Sequence, residues 1–181
     1  MLTDLISSKT RIKLLLKFFL NSSTTSYLRG LAEEFDESTN AVRLELNRLE
    51  GAGMLISHPD GNKKIYRANT QHPLYKEVNG IVRKQLGIDK LILTIIDRLG
   101  DLDQAYLTGP FANGQDSTII DLVLVGELQV NYLTQLIAKA EKLIDRRIRY
   151  IHYTSEQWDK GVINDFTKAP LLIWDKNTVV A

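Results

Sequence analysis

Two rhythms of apolar and polar residues divide this chain. From Lys9 to Leu20, Ile12, Leu15, Leu16, Phe19 and Leu20 recur at helical spacing and predict a first helix. Asn21 to Thr25 is a polar break whose hydroxyls suit the cap of a second helix. That helix is expected over Tyr27 to Phe35, with Leu28, Leu31, Ala32 and Phe35 facing inward. Asp36-Glu37 predicts a turn, and Ser38 suits the cap of a third helix reaching about Gly51. Val42, Leu46 and Leu49, spaced by four and three, mark its buried stripe, and Gly51-Ala-Gly53 ends it. Met54–Ser57 and Lys64–Ala68 read as short strands around an Asp60-Gly61 turn signal, which makes a hairpin.

Two further helical stripes follow. One carries Leu74, Val78, Ile81, Val82 and Leu86 before Gly87, and the next carries Leu91, Ile92, Ile95, Ile96 and Leu99 before Gly100. Strand-like and helical stretches then mix. Ala105–Thr108 predicts a strand and Gly109–Ser117 a loop, and Ile119–Val125 is apolar enough for an interior strand. Val130, Leu133, Leu136, Ile137, Ala140, Leu143 and Ile144 predict an amphipathic helix. Arg147–Tyr153 and Leu171–Trp174 close the pattern as strands, with Trp158 and Trp174 expected in the core. The expected fold is a two-domain α/β chain: an N-terminal winged helix-turn-helix at 1–72, a helical connector at 73–100, and an α/β domain with a small mixed sheet at 101–181.

Composition narrows the chemistry. The 181 residues include no cysteine, which removes disulfides, thiolate nucleophiles and cysteine-ligated metals. His58, His72 and His152 are dispersed, so metal binding is not expected. The apolar run from Leu14 to Leu20 is broken by Lys17 and falls short of the roughly 20 residues that a bilayer span requires. Met1 to Leu5 has no basic run, so a secretory leader is not expected, and a cytoplasmic location without membrane partners is the expectation. Net charge is +1, yet residues 1–100 carry +4 and residues 101–181 carry −3. A basic front half points towards nucleic acid.

Three helices and a hairpin give that charge a use. A third helix held against two others presents one face that fits the major groove. On this helix the exposed face carries Ser38, Thr39, Asn40, Arg43 and Asn47. Asn can pair with adenine, Arg with guanine, and Thr can reach phosphate or a thymine methyl. The hairpin adds Asn62, Lys63 and Lys64 for backbone or minor-groove contact. Asp36, Glu37 and Glu45 are expected on or beside this surface, where they would repel phosphate. A protein-docking face is the alternative use of the same helix.

Leu28-Arg-Gly-Leu-Ala-Glu-Glu-Phe35, followed by Ser38 to Leu55, resembles bacterial winged-helix regulators of the arsenical-resistance-repressor type. Lys64-Ile-Tyr-Arg-Ala-Asn69 is similar to the second wing strand of that family, and the resemblance spans residues 9–70. It implies double-stranded DNA as a partner and transcription regulation as the function. Operators are usually read by two-fold dimers, so a homodimer is expected, with residues 9–20 and 74–99 as its surface.

Leu107 to Gly114 followed by Ser117 to Val125 resembles minimal nucleotidyltransferases of the DNA polymerase β superfamily, over about residues 90–175. The resemblance implies a Gly-Ser loop holding nucleotide phosphates and two aspartates, one residue apart, sharing magnesium ions. Gly109, Gly114 and Asp121 match, but Pro110 stands in place of the loop serine and Ile119 in place of the first aspartate. Arg147 to Tyr153, where the third carboxylate would fall, holds no acid. Asp116 is the remaining nearby carboxylate, and Asp121 is otherwise expected to be satisfied by backbone donors. The expectation is therefore a degenerate site without cofactor, serving to sense a small-molecule or protein effector or to dimerise. An active nucleotidyltransferase modifying a protein or small molecule, as in an antitoxin-like pair, is the alternative.

Overall fold

The computed structural model describes residues 6–99 and 101–177, which divide into two compact units, residues 1–85 and 86–181. The stretch expected as a connector is thus shared between the units. The side chain of Ile96 and the breaker Gly100 lie outside the described residues.

The first unit runs α1 (Lys9–Phe19), β1 (Thr25–Tyr27), α2 (Leu28–Phe35), α3 (Thr39–Gly51), β2 (Leu55–Asp60), β3 (Lys63–Ala68) and α4 (Tyr75–Leu86). Ser8 caps α1 by accepting from the Arg11 amide, and Ser38 caps α3 by accepting from the Ala41 amide. α1 is buried almost all round: Leu14, Phe18 and Phe19 are fully enclosed, and Leu15, Leu16 and Leu20 nearly so. The periodic pattern had singled out one stripe and missed Leu14 and Phe18, because a central helix has neighbours on several sides. α1 therefore offers no exposed apolar face for a dimer. Leu31 from α2, Val42 and Leu46 from α3, and Leu55 from β2 are buried as well, each with 0–1% exposure. Burying one such side chain stabilises by roughly 1.5–3 kcal/mol.

The polar break after α1 contains a strand instead of a cap. Thr25–Tyr27 pairs antiparallel with Arg67–Ile65, giving a sheet of order β1-β3-β2. Tyr27, extended and without a side-chain capping bond, starts α2. Its β-compatible Thr-Ser-Tyr sequence has too few residues to show alternation, which is why pairing decides it. The hairpin turn falls at Gly61-Asn62, so β2 extends through Pro59 and Asp60. Gly61 there has a φ of 54° and Asp36, ending α2, one of 53°.

The second unit opens with α5 (Ile88–Leu91), a π-helical turn (Ile92–Ile96) and α6 (Asp97–Leu99). It continues β4 (Leu102–Thr108), α7 (Gly109–Ala112), β5 (Ile119–Gly126), α8 (Val130–Ile144), β6 (Arg147–Tyr153), α9 (Ser155–Asp159) and β7 (Leu171–Asp175). The sheet order is β6-β5-β4-β7, with β5 and β6 parallel and the other pairs antiparallel. The parallel pair requires a crossover, and α8 supplies it. Ile120, Val123 and Leu124 are fully buried on β5, as the apolar run predicted. Tyr106, Val123, Val125 and Trp158 form a cluster on which Tyr153, Val162, Ile163 and Phe166 pack. Trp158 lies 5.0 Å from the Tyr106 ring and 5.7 Å from that of Tyr153. Trp158 is core, as expected, whereas Trp174 is half-buried.

Candidate functional site

In the first unit, α3 and the β2–β3 hairpin wall a cleft of about 730 Å³. Arg43 and Asn47 line it from α3, Asn62, Lys63 and Lys64 from the hairpin, and Arg29 from α2, with Tyr27 and Tyr66 between them. The helical spacing of Arg43 and Asn47 places them one turn apart on the open face, since Val42, Leu46 and Leu49 are turned into the core. Thr39 and Asn40 are exposed at the N-terminal turn of the same helix, outside the cleft lining. Ser38 is exposed, but its hydroxyl is taken up by the helix cap. Arg29 was missed in the sequence because α2 was read only for its apolar stripe. Its position beside the cleft follows from β1, which fixes the start of α2 against β3.

The hairpin tip is anchored. Gly30 leaves room for the Tyr27 ring, whose carbons would lie 3.1 Å from a β-carbon at that position. Lys63 Nζ sits over the other part of this arrangement, 4.2 Å from the Tyr27 centroid. Lys64 Nζ donates to Glu50 Oε2 at 2.7 Å and lies 5.1 Å from the Tyr66 centroid. Glu50 also accepts from the Ser57 hydroxyl at 2.5 Å. The Lys64 ammonium and Ser57 hydroxyl hold the Glu50 carboxyl below the usual range, against a smaller opposing effect of burial. The same bond raises the Lys64 ammonium above its ordinary value.

The acids expected to repel phosphate are disposed differently. Glu45 is not on the open face: it is 5% exposed and directed towards α1. It accepts from Ser8 Oγ at 2.8 Å, from Arg11 Nε at 2.8 Å and from Arg48 at 3.2 Å. Burial would raise its carboxyl, but these donors outweigh it and the net shift is downward. Glu37 behaves likewise, lowered overall by Lys13 and Thr10 against the burial that raises it. The correction has a simple cause: Glu45 lies three residues after Val42, on the buried side of the helix, where only a basic partner makes an acid tolerable. Among the described residues, no carboxylate lines the cleft itself.

In the second unit, Gly109, Asp121 and Arg149 border a cleft of about 370 Å³, together with Thr108, Leu122, Tyr150 and Ile151. The parallel register sets Asp121 opposite Arg149. Arg149 Nε donates to Asp121 Oδ1 at 2.7 Å and its terminal nitrogen to Oδ2 at 3.1 Å, a bidentate pair. Asp121 is thus satisfied by a guanidinium, not by the backbone donors expected from the sequence. Gly109 has a φ of 60°, and a β-carbon there would come within 2.6 Å of Asp121 Oδ2. Glycine is required both by conformation and by this contact.

The loop that resembled a phosphate cradle closes on itself. The amides of Asn113 and Gln115 donate to the Pro110 carbonyl, and the amide of Gly114 donates to that of Phe111. Those N–H groups face the α7 carbonyls, so they are not presented to a phosphate. Asp116 pairs with Arg146 at 2.7 Å, and Arg146 also lies over the Phe111 ring. Of the histidines, His72 Nδ1 accepts from the Leu74 amide and His152 Nε2 bonds the Gly126 carbonyl.

No protein-family model and no curated protein matches the chain. Among solved structures it is similar to reduced HlyU from Vibrio cholerae, with a TM-score of 0.37 and 15% identity over 48% of this chain and 83% of that one. It is also similar to a protein described as a candidate nucleotidyltransferase from Sulfolobus solfataricus, with a TM-score of 0.37 and 18% identity over 52% of this chain and 83% of that one. A hypothetical protein of Pyrobaculum spherical virus gives a TM-score of 0.30 and 16% identity over 83% of this chain and 78% of its own. At this level of similarity the likenesses define neither family nor function. No helix among the described residues is long and apolar enough to cross a membrane.

Proposed function

We propose that the first unit is a winged helix-turn-helix that binds double-stranded DNA and regulates transcription, with α3 as recognition helix and the β2–β3 hairpin as wing. The observation that carries this reading is the cleft between them. It gathers Arg29, Arg43, Asn47, Asn62 and Lys63 with no carboxylate among the described residues of its lining, while the two acids of the helix are neutralised, Glu45 inward by Arg11 and Glu50 by Lys64. In this role Asn40, Arg43 and Asn47 read base edges. Thr39, Asn62, Lys63 and Arg29 meet the sugar-phosphate backbone, and Ser38 sets the helix start.

The second unit serves as a non-catalytic sensing or dimerisation module. A single carboxylate bound to Arg149 supplies no acidic pair for divalent metal, and the amides of Asn113, Gly114 and Gln115 are already bonded. A homodimer in the cytoplasm completes the reading. Leu74, Val78 and Ile81 share one face of the α4 stretch, and Leu74 and Ile81 remain exposed, which supports that helix as a contact between copies.

Genome-wide selection of bound fragments, followed by affinity measurement on the recovered duplex, tests the assignment. Arg43→Ala should weaken binding by about 1–3 kcal/mol and relax preference at one base pair. Unchanged affinity and preference would overturn it.

A further inference from the structure

Lys63 and Lys64 are adjacent in sequence and look equivalent, but the fold gives them different neighbours. Lys63 has no acidic partner among the described residues and stands over the Tyr27 ring. Lys64 bridges to Glu50, the penultimate residue of α3, whose other oxygen takes the hydroxyl of Ser57 on β2. One carboxylate therefore joins α3 to both strands of the hairpin. It also stands at the rim of an otherwise acid-free cleft, where an unpaired negative charge would oppose a phosphate backbone.

Building on the DNA-binding reading above, we propose that Glu50 and Lys64 form a latch that positions the wing against the recognition helix, so that Lys64 is a positioning residue and not a phosphate contact. Ser57 and Lys64 approach Glu50 from the two strands, so the carboxylate fixes the hairpin along its length and its tilt. Lys64 in turn cancels the charge of Glu50. Among the described residues, the cations of this cleft left without an acidic partner to face DNA are Lys63, Arg43 and Arg29. With Arg43 on a base edge, Lys63 and Arg29 as two phosphate contacts correspond to a slope of about −1.8 in log affinity against log salt concentration.

Two measurements test the latch, one without DNA. Amide hydrogen exchange of Glu50→Gln and Ser57→Ala should show residues 56–64 exchanging several-fold faster than in the wild type, with α1 protection unchanged. Unaltered exchange in the hairpin of both folded variants overturns the proposal. The second is a salt titration of affinity for the selected duplex. Lys63→Met should lower the magnitude of the slope by about 0.9. Lys64→Met should keep the wild-type slope while weakening binding about three- to fivefold. Adding Glu50→Gln should remove most of that loss, leaving the double variant within about twofold of Glu50→Gln alone. A Lys64→Met slope reduced like that of Lys63→Met overturns the latch and makes Lys64 a phosphate contact. Faster hairpin exchange together with no duplex binding by the wild type supports the latch and instead refutes the DNA-binding reading.

Discussion

The two clefts of this protein are each bordered by acids and bases, but pair them differently. Beside α3, Glu45 is matched to Arg11 away from the opening and Glu50 to Lys64 at its rim, and Arg29, Arg43 and Lys63 have no carboxylate partner among the described residues. Between β5 and β6, the one carboxylate is matched to the one arginine, and the pair cancels. Charge composition of the surroundings does not separate the two cases, since acids and bases stand in or beside both. What separates them is which group each base is bonded to, and that is set by packing. On the proposed reading the unpaired cations of the open face are left for a ligand, whereas the bidentate ion pair across two strands is a piece of structure.

This contrast can be broken in several places. The largest effect is expected on the inward side of α3. Glu45→Ala removes a nearly buried acid and strands Arg11, which should cost about 2–3 kcal/mol in urea unfolding of the full chain, somewhat below a fully buried pair because Arg11 is partly exposed. A loss under about 0.5 kcal/mol would mean that the ion pair does not hold α1 to α3.

Gly109→Ala comes next, since it forces a β-carbon into a left-handed conformation and against Asp121. A loss of about 1–3 kcal/mol is expected, with the second unit melting earlier. Retention of wild-type stability would show that β4 and α7 can relax away from Asp121.

Acid sensitivity sharpens the same comparison. Glu45 and Glu37 have lowered carboxyl values in the fold, so the unfolded chain binds protons first as pH falls. Their contribution is fully present above the ordinary glutamate range near pH 4.3 and is lost as pH drops through the lowered folded values. Unfolding midpoints measured between pH 6 and pH 3 should fall on acidification, and Glu45→Gln should flatten that fall. An equally steep fall in Glu45→Gln would assign acid sensitivity to other carboxylates.

The smallest effect belongs to the second cleft. Asp121→Asn leaves a hydrogen-bonding partner for Arg149 on an exposed strand face, so the melting temperature should stay at the wild-type value. Incubation of wild type and variant with labelled ATP and magnesium should give no transfer of label in either. Label transfer abolished by Asp121→Asn would make the second unit an enzyme.

Much of the first unit was legible because it is written in local signals. Ser38 followed by Val42, Leu46 and Leu49 specifies a capped amphipathic helix, and Asp60-Gly61 specifies a hairpin, whatever surrounds them. The open face of α3 followed by subtraction, which is why Arg43 and Asn47 could be named. Thr25–Tyr27 could not be read as a strand, because three residues carry no period and their pairing partner lies forty positions away. Glu45 was misplaced for a related reason: helical phase puts it near the core, but only Arg11 and Ser8 from another helix explain why an acid is tolerated there.

Sequence alone thus determined the longer helices and most of the strands, the apolar stripes and the loss of acids from the β5 region, because each depends on residue type at short range. The tertiary structure decided the ionic partners. Arg149 reaches Asp121 only through the parallel register of β5 and β6, and Lys64 reaches Glu50 only when the hairpin folds back on α3. Electrostatic pairing acts over a few ångströms in space, between residues far apart along the chain, and no local pattern encodes that distance.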